Sequence, residues 1–436
     1  MRASKLIKMK TEKINTLIIG AGVSGLSAAY FLKTDYKVLE ANSYAGGLCA
    51  SFYENGFTFD CSGHFIHIKD EKIKNLVAKL TGGIDAVTRN AEIYLHGRFI
   101  PYPFQANLYY LDLKTKKECV NGVLKRENKE PSTSMPFIKW SNLMFGKGIT
   151  KYFMGPYNQK LWSYDLNKMT AEWSGPFVPK PDAQEIARSA FAKNKKQYGY
   201  NSVFYYPKTG GCQALINGLL KKVKPEYNSK TVKIDAENKI VKTQNGSQYK
   251  YSKLISTQPL NALINQISGV PANIKLQSKK LLCNTVRCIN IGVKSDKGIP
   301  AVLKGKHWVY MPEDKFSFYR IGVYSNVNKK SALEGCYSFY VEYSSMNGKY
   351  KNVENVIEDL VKAGFIRKTD KISALNIVDM PGYVIFDKNR SAALKSVNEF
   401  LNKRCIYSIG RYGAWEYSFI EKNIKDAKSL AEKLND

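Results

Sequence analysis

Three glycines near the start of the chain are spaced as in sites that bind dinucleotides. Gly20, Gly22 and Gly25 follow a short apolar run, residues 14–19, and precede a segment with helical character that includes Ser24. In this pattern the first glycine permits a tight turn, the second lets the backbone approach a pyrophosphate, and the third lets the helix pack on the strand. N–H groups at the helix N-terminus would then face the phosphates. A glycine-rich turn without a ligand is the alternative.

The residues after this turn favour a dinucleotide-binding site over a glycine-rich turn without a ligand. A second run with strand character, residues 36–40, ends in Glu40, which would accept hydrogen bonds from ribose hydroxyls. Gly46, Gly47 and Leu48 follow shortly after this acid, and adjacent glycines let a loop pass close to a cofactor. A glycine pair at this place resembles the FAD proteins of the amine oxidase and glutathione reductase superfamily more than NAD dehydrogenases.

Two arginines stand where a guanidinium could bind phosphate. Arg320 lies inside an apolar stretch, residues 316–326, where a charge is costly unless it is paired. Arg411 follows Gly410 between a predicted strand and a helix-like end. The forked donors of arginine suit phosphate oxygens. The alternative for Arg411 is a surface arginine without a ligand.

Composition limits the elements that can position these residues. Of 436 residues, 44% are apolar and 12% are aromatic, which excludes a disordered chain and suggests several domains. No stretch of about 20 apolar residues occurs and no secretory signal is recognisable, so we expect a cytoplasmic protein. Eight cysteines without a CxxC pair and four histidines predict reduced thiols and no metal centre.

The chain carries 67 Lys and Arg against 37 Asp and Glu, a net charge of +30. Such a charge attracts nucleic acid, acidic membranes or phosphorylated small molecules. The lysines are spread along the sequence and no nucleic-acid-binding module is recognisable, so we expect no nucleic-acid partner. Most of the basic residues are expected on solvated surfaces.

The pattern of helices and strands predicts an α/β fold. Residues 105–200 have helical character, and residues 284–345 alternate in the manner of a mostly antiparallel sheet. We therefore expect an FAD-binding Rossmann-like domain of the glutathione reductase or amine oxidase type, a helical domain and an antiparallel sheet domain that binds substrate. The predicted boundaries are 14–92, 207–265 and 398–436 for the Rossmann-like domain, 106–198 for the helical domain, and 93–105, 199–206 and 266–397 for the sheet domain.

Several further motifs resemble one family, the UDP-galactopyranose mutases in their larger, eukaryotic-type form. GAGVSGLSAAY, GGLCASF and GFTFDCSGH are shared with many flavoproteins, whereas PYPFQ, FYR and GRYGAWEY are far more specific. The likeness extends over roughly residues 14–417. It implies interconversion of the pyranose and furanose forms of a nucleotide-diphosphate sugar. It also implies FAD as the cofactor, active in its reduced form, with flavin N5 as the nucleophile at the anomeric carbon.

The resemblance also implies roles for individual residues. Arg320 and Arg411 would hold the diphosphate, and His64 would lie against the flavin and respond to its redox state. Tyr383 and Tyr417 would bond the phosphates. The residues expected at the nucleotide base and the sugar are Tyr102, Gln105, Asn201, Trp308 and Tyr310. The residues expected at the cofactor are Gly20, Gly22, Ser24, Gly25, Glu40, Ala41, Gly47, Leu48, Gly63, His64, Val232, Gly410 and Arg411.

The chain departs from the family pattern at several positions. Phe177 stands where the family carries an arginine, and Lys180 or Arg188 could replace that cation. Ser62 stands in place of a glycine, and Ser418 begins a loop that differs from the family's. The sugar could therefore be UDP-galactose or a relative linked to UDP, dTDP or GDP.

Other readings remain open at this stage. The aromatic residues could be ordinary sheet residues, and His64 could be a loop histidine with a structural role. The chain could instead be an FAD-dependent oxidase or desaturase of the amine oxidase or protoporphyrinogen oxidase type, or a basic binding protein. The reductant, an external donor or NAD(P)H, and the oligomeric state are also open. Loose association with membrane glycosyltransferases would fit the surplus charge.

Overall fold

The glycine-rich turn lies at the carboxyl end of the first strand of a six-stranded sheet in the computed structural model, which describes residues 11–127, 129–194, 196–199 and 201–435. The first ten residues, where no secretory signal is recognised, lie outside the described residues. The strands are β1 (Glu12–Ile19), β2 (Tyr36–Leu39), β3 (Ser51–Glu54), β4 (Phe57–Asp60), β5 (Ile84–Thr88), β6 (Ala91–Leu95), β7 (Arg98–Pro101), β8 (Val203–Pro207), β9 (Thr231–Asp235), β10 (Ile240–Thr243), β11 (Gln248–Ser256), β12 (Cys283–Lys294), β13 (Trp308–Tyr310), β14 (Arg320–Gly322), β15 (Cys336–Ser345), β16 (Lys371–Val384) and β17 (Ile406–Ser408).

The helices surround the sheets and also form a separate layer between β7 and β8. They are α1 (Val23–Phe31), α2 (Glu71–Thr81), α3 (Leu113–Leu124), α4 (Phe137–Ile149), α5 (Gly155–Trp162), α6 (Ala183–Arg188), α7 (Gln213–Leu220), α8 (Leu260–Gln266), α9 (Ala272–Lys279), α10 (Tyr324–Val327), α11 (Val353–Lys362), α12 (Arg390–Asn402) and α13 (Ile420–Asn435). Short 3-10 helices include Phe104–Ala106, Leu108–Tyr110 and Glu172–Ser174, and a π-helical turn, Thr150–Met154, joins α4 to α5. None of the helices in the described ranges is long and apolar enough to cross a bilayer.

The first sheet has the strand order β2-β1-β11-β10-β9, with β17 also paired to β11. β1 pairs in parallel with β2 and β11, and β11 pairs in parallel with β17. Leu17, Ile18 and Ile19 are buried because α1 covers one side of the parallel strands, as expected for an apolar run without alternation. This is the predicted Rossmann-like α/β arrangement.

The second sheet has seven strands in the order β16-β12-β15-β14-β13-β6-β7. Its pairings are antiparallel except for the parallel pair β13 and β6. The prediction of a mostly antiparallel sheet is therefore confirmed. The boundary predicted at residue 93 falls inside β6, which pairs with β13 from Ala91 onwards.

Alternation along the second sheet separates a core face from a site face. Val309, Ile321 and Val341 lie opposite one another on β13, β14 and β15 and are buried in a cluster that includes α11. Because successive side chains point to opposite faces, their neighbours Arg320 and Glu342 share the other face. The register therefore places charged residues in a row inside a largely apolar sheet.

Candidate functional site

The glycine-rich turn is shaped for close approach by a ligand. Gly20 has φ +101°, and a Cβ there would lie 2.2 Å from Thr257 Oγ1. A Cβ on Gly25 would lie 2.0 Å from the carbonyl oxygen of Gly20, so only glycine lets α1 pack this closely. α1 begins at Gly22 without a capping side chain, which leaves its first N–H groups available to a pyrophosphate.

Glu40 is buried and supports this turn. Its Oε2 accepts a 2.8 Å hydrogen bond from Ala21 N, and its Oε1 accepts a 2.9 Å bond from Asn42 N. Ser229 N donates to the Glu40 carbonyl at 2.8 Å. This bond holds the segment that precedes β9 against the end of β2. Each carboxylate oxygen keeps a second lone pair, so binding of a ribose stays compatible with this role.

Further predicted cofactor residues lie between residues 41 and 48, in β9 and at Gly410. Gly46 N donates to Ala21 O at 2.9 Å, which holds the loop with Gly47 and Leu48 against the turn. A Cβ on Gly410 would lie 2.7 Å from Ser24 Oγ. Ala41 is exposed just beyond Glu40, and Val232 in β9 is 48% exposed. A dinucleotide fits this cradle, and contact with Ala41 and Val232 stays a prediction.

A cavity of about 210 Å³ opens where the loop after β4 meets the second sheet and the helical layer. Leu48 and Gly63 line it on the side of the first sheet. It brings together all of the residues predicted for substrate binding and catalysis, which are His64, Tyr102, Gln105, Asn201, Trp308, Tyr310, Arg320, Tyr383, Arg411 and Tyr417. Their roles there stay predictions.

Arg320 belongs to a buried chain of polar groups. Its Nε donates to Glu342 Oε2 at 2.7 Å, and its Nη2 lies 2.5 Å from the same oxygen. Glu342 is only 1% exposed, and its Oε1 accepts a hydrogen bond from Ser62 Oγ. Burial alone would lower the pKa of Arg320, but the charge of Glu342 raises it well above its usual value. The guanidinium of Arg320 is therefore charged and fixed in place.

Arg411 reaches the same cavity with different partners. Its Nη1 donates to Ser418 O at 3.2 Å, and its carbon Cζ lies 5.2 Å and 5.1 Å from the ring centroids of Tyr383 and Tyr417. The buried Nε has no hydrogen-bond partner within the part of the chain that the structure describes. Among the residues that the structure describes, no carboxylate forms an ion pair with this guanidinium. Its positive charge is thus available to an anion.

His64 lies in the loop that closes the cavity toward the dinucleotide cradle. A Cβ on the preceding Gly63 would overlap the hydroxyl of Tyr340, so the loop packs directly on that ring. Burial, together with the positive charge of Arg411, lowers the pKa of His64 to about 4. Its Nδ1 is buried without a hydrogen-bond partner. At neutral pH this residue is therefore a neutral imidazole with an unused ring nitrogen.

The opposite end of the cavity is aromatic and polar. The rings of Tyr102 and Tyr310 lie 5.2 Å apart, and the ring of Trp308 stacks on Phe65 at 5.6 Å. Gln105 Nε2 donates to Pro179 O at 2.6 Å, which leaves its buried Oε1 without a partner. This end offers ring faces and a free amide oxygen to a planar group.

Asn201 differs from the other residues of this end. Its Oδ1 accepts a hydrogen bond from Arg89 Nη1, and the Arg89 guanidinium lies 4.8 Å from the ring of Tyr102. Arg89 is buried and also donates to Tyr198 O at 2.8 Å. Asn201 therefore has its amide nitrogen, and not its engaged oxygen, available to a ligand.

The structure does not support a replacement for the cation missing at Phe177. The Phe177 ring packs 4.2 Å from that of Tyr417, so this wall of the cavity is aromatic. Lys180 is exposed and lies 5.5 Å from the ring of Trp140, and neither it nor Arg188 lines the cavity. The expectation that Lys180 or Arg188 replaces this cation is wrong, because both side chains lie outside the cavity.

The loop after Tyr417 has structural roles instead. Ser418 Oγ donates to Asn423 Oδ1 at 3.0 Å, and Glu421 accepts a 2.8 Å bond from Asp70 N at the start of α2. Phe419 and Ile420 line the cavity and add apolar surface. This loop therefore closes the site with apolar and backbone groups.

Several functional candidates are missing from the sequence prediction. Glu342 stands in an alternating apolar strand, as Arg320 does, and the same argument about the cost of a buried charge would have found it. Tyr340 and Ser62 gain their roles from contacts with Gly63 and Glu342. Those contacts join distant segments, and no local pattern signals them.

Comparison with known proteins gives a short sequence match and a long structural one. A family described as an NAD(P)-binding Rossmann-like domain matches residues 18–80. All-trans-retinol 13,14-reductase of Rattus norvegicus is 43% identical over 58 residues, 13% of this chain and 10% of that protein. The human enzyme of the same name is 41% identical over 63 residues, 14% of this chain and 10% of that protein. The chain thus spans about a tenth of the length of these relatives.

The structural matches cover almost the whole chain. A crystal structure of reduced UDP-galactopyranose mutase superposes with a TM-score of 0.91 at 29% identity, covering 97% of this chain and 95% of that one. A putative protoporphyrinogen oxidase from Exiguobacterium sp. 255-15 gives a TM-score of 0.74 at 16% identity, covering 98% and 99%. A putrescine oxidase variant gives 0.66 at 14% identity, with the same coverages. The last two share the fold alone.

These matches support a flavin as the cofactor, in agreement with the cradle described above. The family resemblance of the sequence motifs and the extended superposition point to the same group of proteins. By its fold, this chain is similar to UDP-galactopyranose mutase over almost its whole length.

Proposed function

We propose that the chain is a flavin-dependent mutase that interconverts the pyranose and furanose forms of a nucleotide-diphosphate sugar. The observation that carries the proposal is the guanidinium of Arg411, which faces the cavity and forms no ion pair with a carboxylate of the described residues. A buried cation of this kind suits a doubly charged diphosphate, both in the bound substrate and as a leaving group. Arg320 would bind the same diphosphate from the sheet side.

The remaining residues would position the two ends of the substrate. Tyr383 and Tyr417 flank Arg411 and would donate hydrogen bonds to the phosphates. The rings of Tyr102 and Tyr310 offer surface for the nucleotide base, whose edge could donate to the free Oε1 of Gln105. Such binding energy at the nucleotide would orient the anomeric carbon.

A reduced flavin, when bound, supplies a nucleophilic nitrogen for covalent catalysis at the anomeric carbon. The loop of Ser62, Gly63 and His64 would lie between this cofactor and the arginines. Because His64 is neutral, it can accept or donate a hydrogen bond there without adding a third positive charge. The apolar wall of Phe177 and Phe419 would exclude water from the reacting groups.

The test is conversion of nucleotide sugars by the flavin-loaded protein, with chromatographic separation of pyranose and furanose forms. UDP-, dTDP- and GDP-linked hexoses are each incubated with dithionite-reduced and with oxidised protein. We expect furanose product from at least one sugar, and only with the reduced protein. The absence of furanose product across the whole panel would overturn the proposal.

Oxygen uptake in the same assays separates the mutase from an oxidase. A mutase has no net redox change, so substrate should not raise oxygen consumption above that of the reduced protein alone. Substrate-dependent oxygen uptake with an oxidised product would identify an oxidase instead. The same panel run with Arg411→Lys tests whether the forked donor geometry, and not only the charge, is required.

A further inference from the structure

The outer side of α3 exposes large apolar side chains, a class of side chain that is usually buried. Leu113 is 67% exposed and Leu124 is 66% exposed, at the two ends of the helix. Eleven residues advance a helix by three turns and about 20°, so both leucines lie on one stripe. Lys117 and the half-buried Val120 occupy the same stripe at intermediate turns. The opposite side, with Cys119 and Val123, is buried.

A second exposed apolar segment lies near the start of α3. Phe191 is 79% exposed, just after α6, and Ser189 O accepts a 2.7 Å hydrogen bond from Tyr109 N. Tyr109 is itself 39% exposed and precedes α3 by a few residues. α6 also packs on α3. We call the patch formed by Tyr109, Leu113, Lys117, Val120, Leu124 and Phe191 the α3 face.

Positive charges surround the α3 face. The ammonium groups of Lys116 and Lys193 lie 5.2 Å and 5.9 Å from the ring centroid of Tyr109. Lys114 is exposed on α3, Lys125 is exposed just after its end, and Arg188 is exposed at the end of α6. The patch therefore combines protruding apolar groups with cations on several sides.

Three of the acids near the α3 face are already engaged, whereas Glu127, just after α3, is exposed. Asp112 caps α3 by accepting from Thr115 N at 2.9 Å, and Glu118 accepts a 2.7 Å bond from Lys151. Glu185 on α6 accepts from Lys196 at 3.1 Å. Acids bound in this way offset the positive charge only in part, so the face keeps a net attraction for anions.

We propose that the α3 face binds the surface of a membrane that contains anionic lipids. Exposed Leu and Phe would enter the boundary between headgroups and acyl chains, while the lysines would contact lipid phosphates. A nucleic acid would use the cations but leave the leucines and Phe191 in water. The pattern of apolar tips between lysines therefore fits a lipid surface better.

The position of the face relative to the cavity gives this contact a consequence. Gln105, which lines the cavity, lies in the short helix immediately before the one that contains Tyr109. Asn194 Nδ2 donates to Ala106 O at 3.2 Å and links the segment after Phe191 to the same turn. Binding at the α3 face would hold the nucleotide end of the cavity close to the membrane. This inference does not depend on the proposed reaction.

The experiment is co-sedimentation of the flavin-loaded full chain with vesicles of phosphatidylcholine, with and without phosphatidylserine. We expect binding only to vesicles that contain phosphatidylserine, and weaker binding as salt is raised. Leu113→Ser with Phe191→Ser should weaken binding at least tenfold, because the apolar area of two side chains is no longer inserted. Lys117→Glu with Lys193→Glu should weaken it at least as much.

A matched control lies on another exposed basic helix. α9 carries Leu276, which is 58% exposed, and Lys279 at its end. Leu276→Ser with Lys279→Glu should leave vesicle binding unchanged. An equal loss with this control, or no binding to phosphatidylserine vesicles at all, would overturn the proposal. So would serine variants of the α3 face that bind as well as the unchanged chain, because charge alone would then suffice.

A second measurement tests insertion directly. Tryptophan introduced by Phe191→Trp should be quenched by brominated lipids in vesicles that contain phosphatidylserine. Tyr53→Trp, at an exposed position on β3 that is 64% exposed, is the matched control and should not be quenched. Equal quenching at both positions, or none at Phe191→Trp, would contradict insertion at the α3 face.

Discussion

Arg320 and Arg411 face the same cavity but differ in how their charges are compensated. Arg320 forms an ion pair with Glu342, which is almost fully buried and is bonded in turn to Ser62. Arg411 is held by the carbonyl of Ser418 and by tyrosine rings. The first guanidinium is thus one half of a fixed pair, whereas the second carries a free positive charge.

The difference in charge compensation gives the two arginines different tasks, and the sequence motifs alone do not distinguish these tasks. A buried ion pair contributes little net free energy, but removal of one partner leaves a costly charge behind. An uncompensated cation gives the strongest stabilisation when an anion arrives, because it has no internal partner to release. We therefore expect Arg320 to matter for both the fold and the site, and Arg411 to matter chiefly for the ligand.

The largest effect is expected from Arg320→Ala. The substitution leaves Glu342 charged in a buried place, so the free energy of unfolding should fall by about 3–5 kcal/mol. Chemical denaturation of the flavin-loaded protein measures this change. The double variant Arg320→Ala with Glu342→Gln should recover part of the loss, because the stranded charge is gone. No recovery would mean that Glu342 is not the cause.

Arg411→Ala should act chiefly on the ligand. Loss of the free charge at a diphosphate is expected to lower kcat/KM by about 10²–10³-fold. The free energy of unfolding should fall by less than for Arg320→Ala, by about 1–2 kcal/mol, since hydrogen bonds to carbonyls and contacts with tyrosine rings are lost but no ion pair is broken. Steady-state rates with the nucleotide sugar that the panel identifies measure the first effect, and flavin absorbance confirms that the cofactor is retained. A loss of stability as large as that of Arg320→Ala would remove the distinction.

A smaller effect is expected from Ser62→Ala. The hydroxyl of Ser62 donates to the Glu342 oxygen opposite to the one that binds Arg320, and so helps to orient the pair. Its removal should raise KM by about two- to tenfold, equivalent to 0.5–1.5 kcal/mol, with little change in kcat. Ser338→Ala is the control, since Ser338 is also buried and lies in the same strand as Glu342 but bonds to serine hydroxyls. Equal effects of both variants would indicate a general loss of packing.

The sequence carries enough information for the fold and for much of the cavity. The spacing of Gly20, Gly22 and Gly25 and the acid Glu40 follow from local geometry, and the structure reproduces that geometry. Arg320 is recognisable as a candidate site residue because a charge in an apolar strand is costly unless it is paired. The register that places Glu342 opposite Arg320 depends on pairing between strands far apart in sequence, which no local pattern supplies.

The lack of long-range information in a local pattern also explains the wrong expectation that Lys180 replaces the missing cation. Lys180 stands only a few residues after Phe177, and sequence distance makes it a plausible replacement. Its ammonium instead lies near the ring of Trp140, outside the cavity, because the chain turns away after Pro179. A residue that is close in sequence to an expected site residue therefore need not reach the site, because the backbone can lead away from it.

The pKa of His64 responds to the charge of Arg411. Burial and the charge of Arg411 lower the pKa of His64 from 6.5 to about 4. Between these two pH values His64 is neutral in the folded state and protonated in the unfolded state. Stability is therefore lost as the pH falls from 6.5 toward 4, at about 1.4 kcal/mol per pH unit for one histidine. His307 has its pKa lowered to about 4 by burial, without an arginine.

Arg411→Met should accordingly raise the pKa of His64 and leave that of His307 unchanged. With four histidines in the chain, NMR titration of labelled imidazole rings can follow each residue separately. Arg320→Met combined with Glu342→Gln should move His64 less, because the opposing charges of this pair largely cancel at the imidazole. A shift of His64 that is equal in both variants would mean that Arg411 is as well compensated as Arg320, since an imidazole responds to the net charge beside it and not to the number of guanidinium groups.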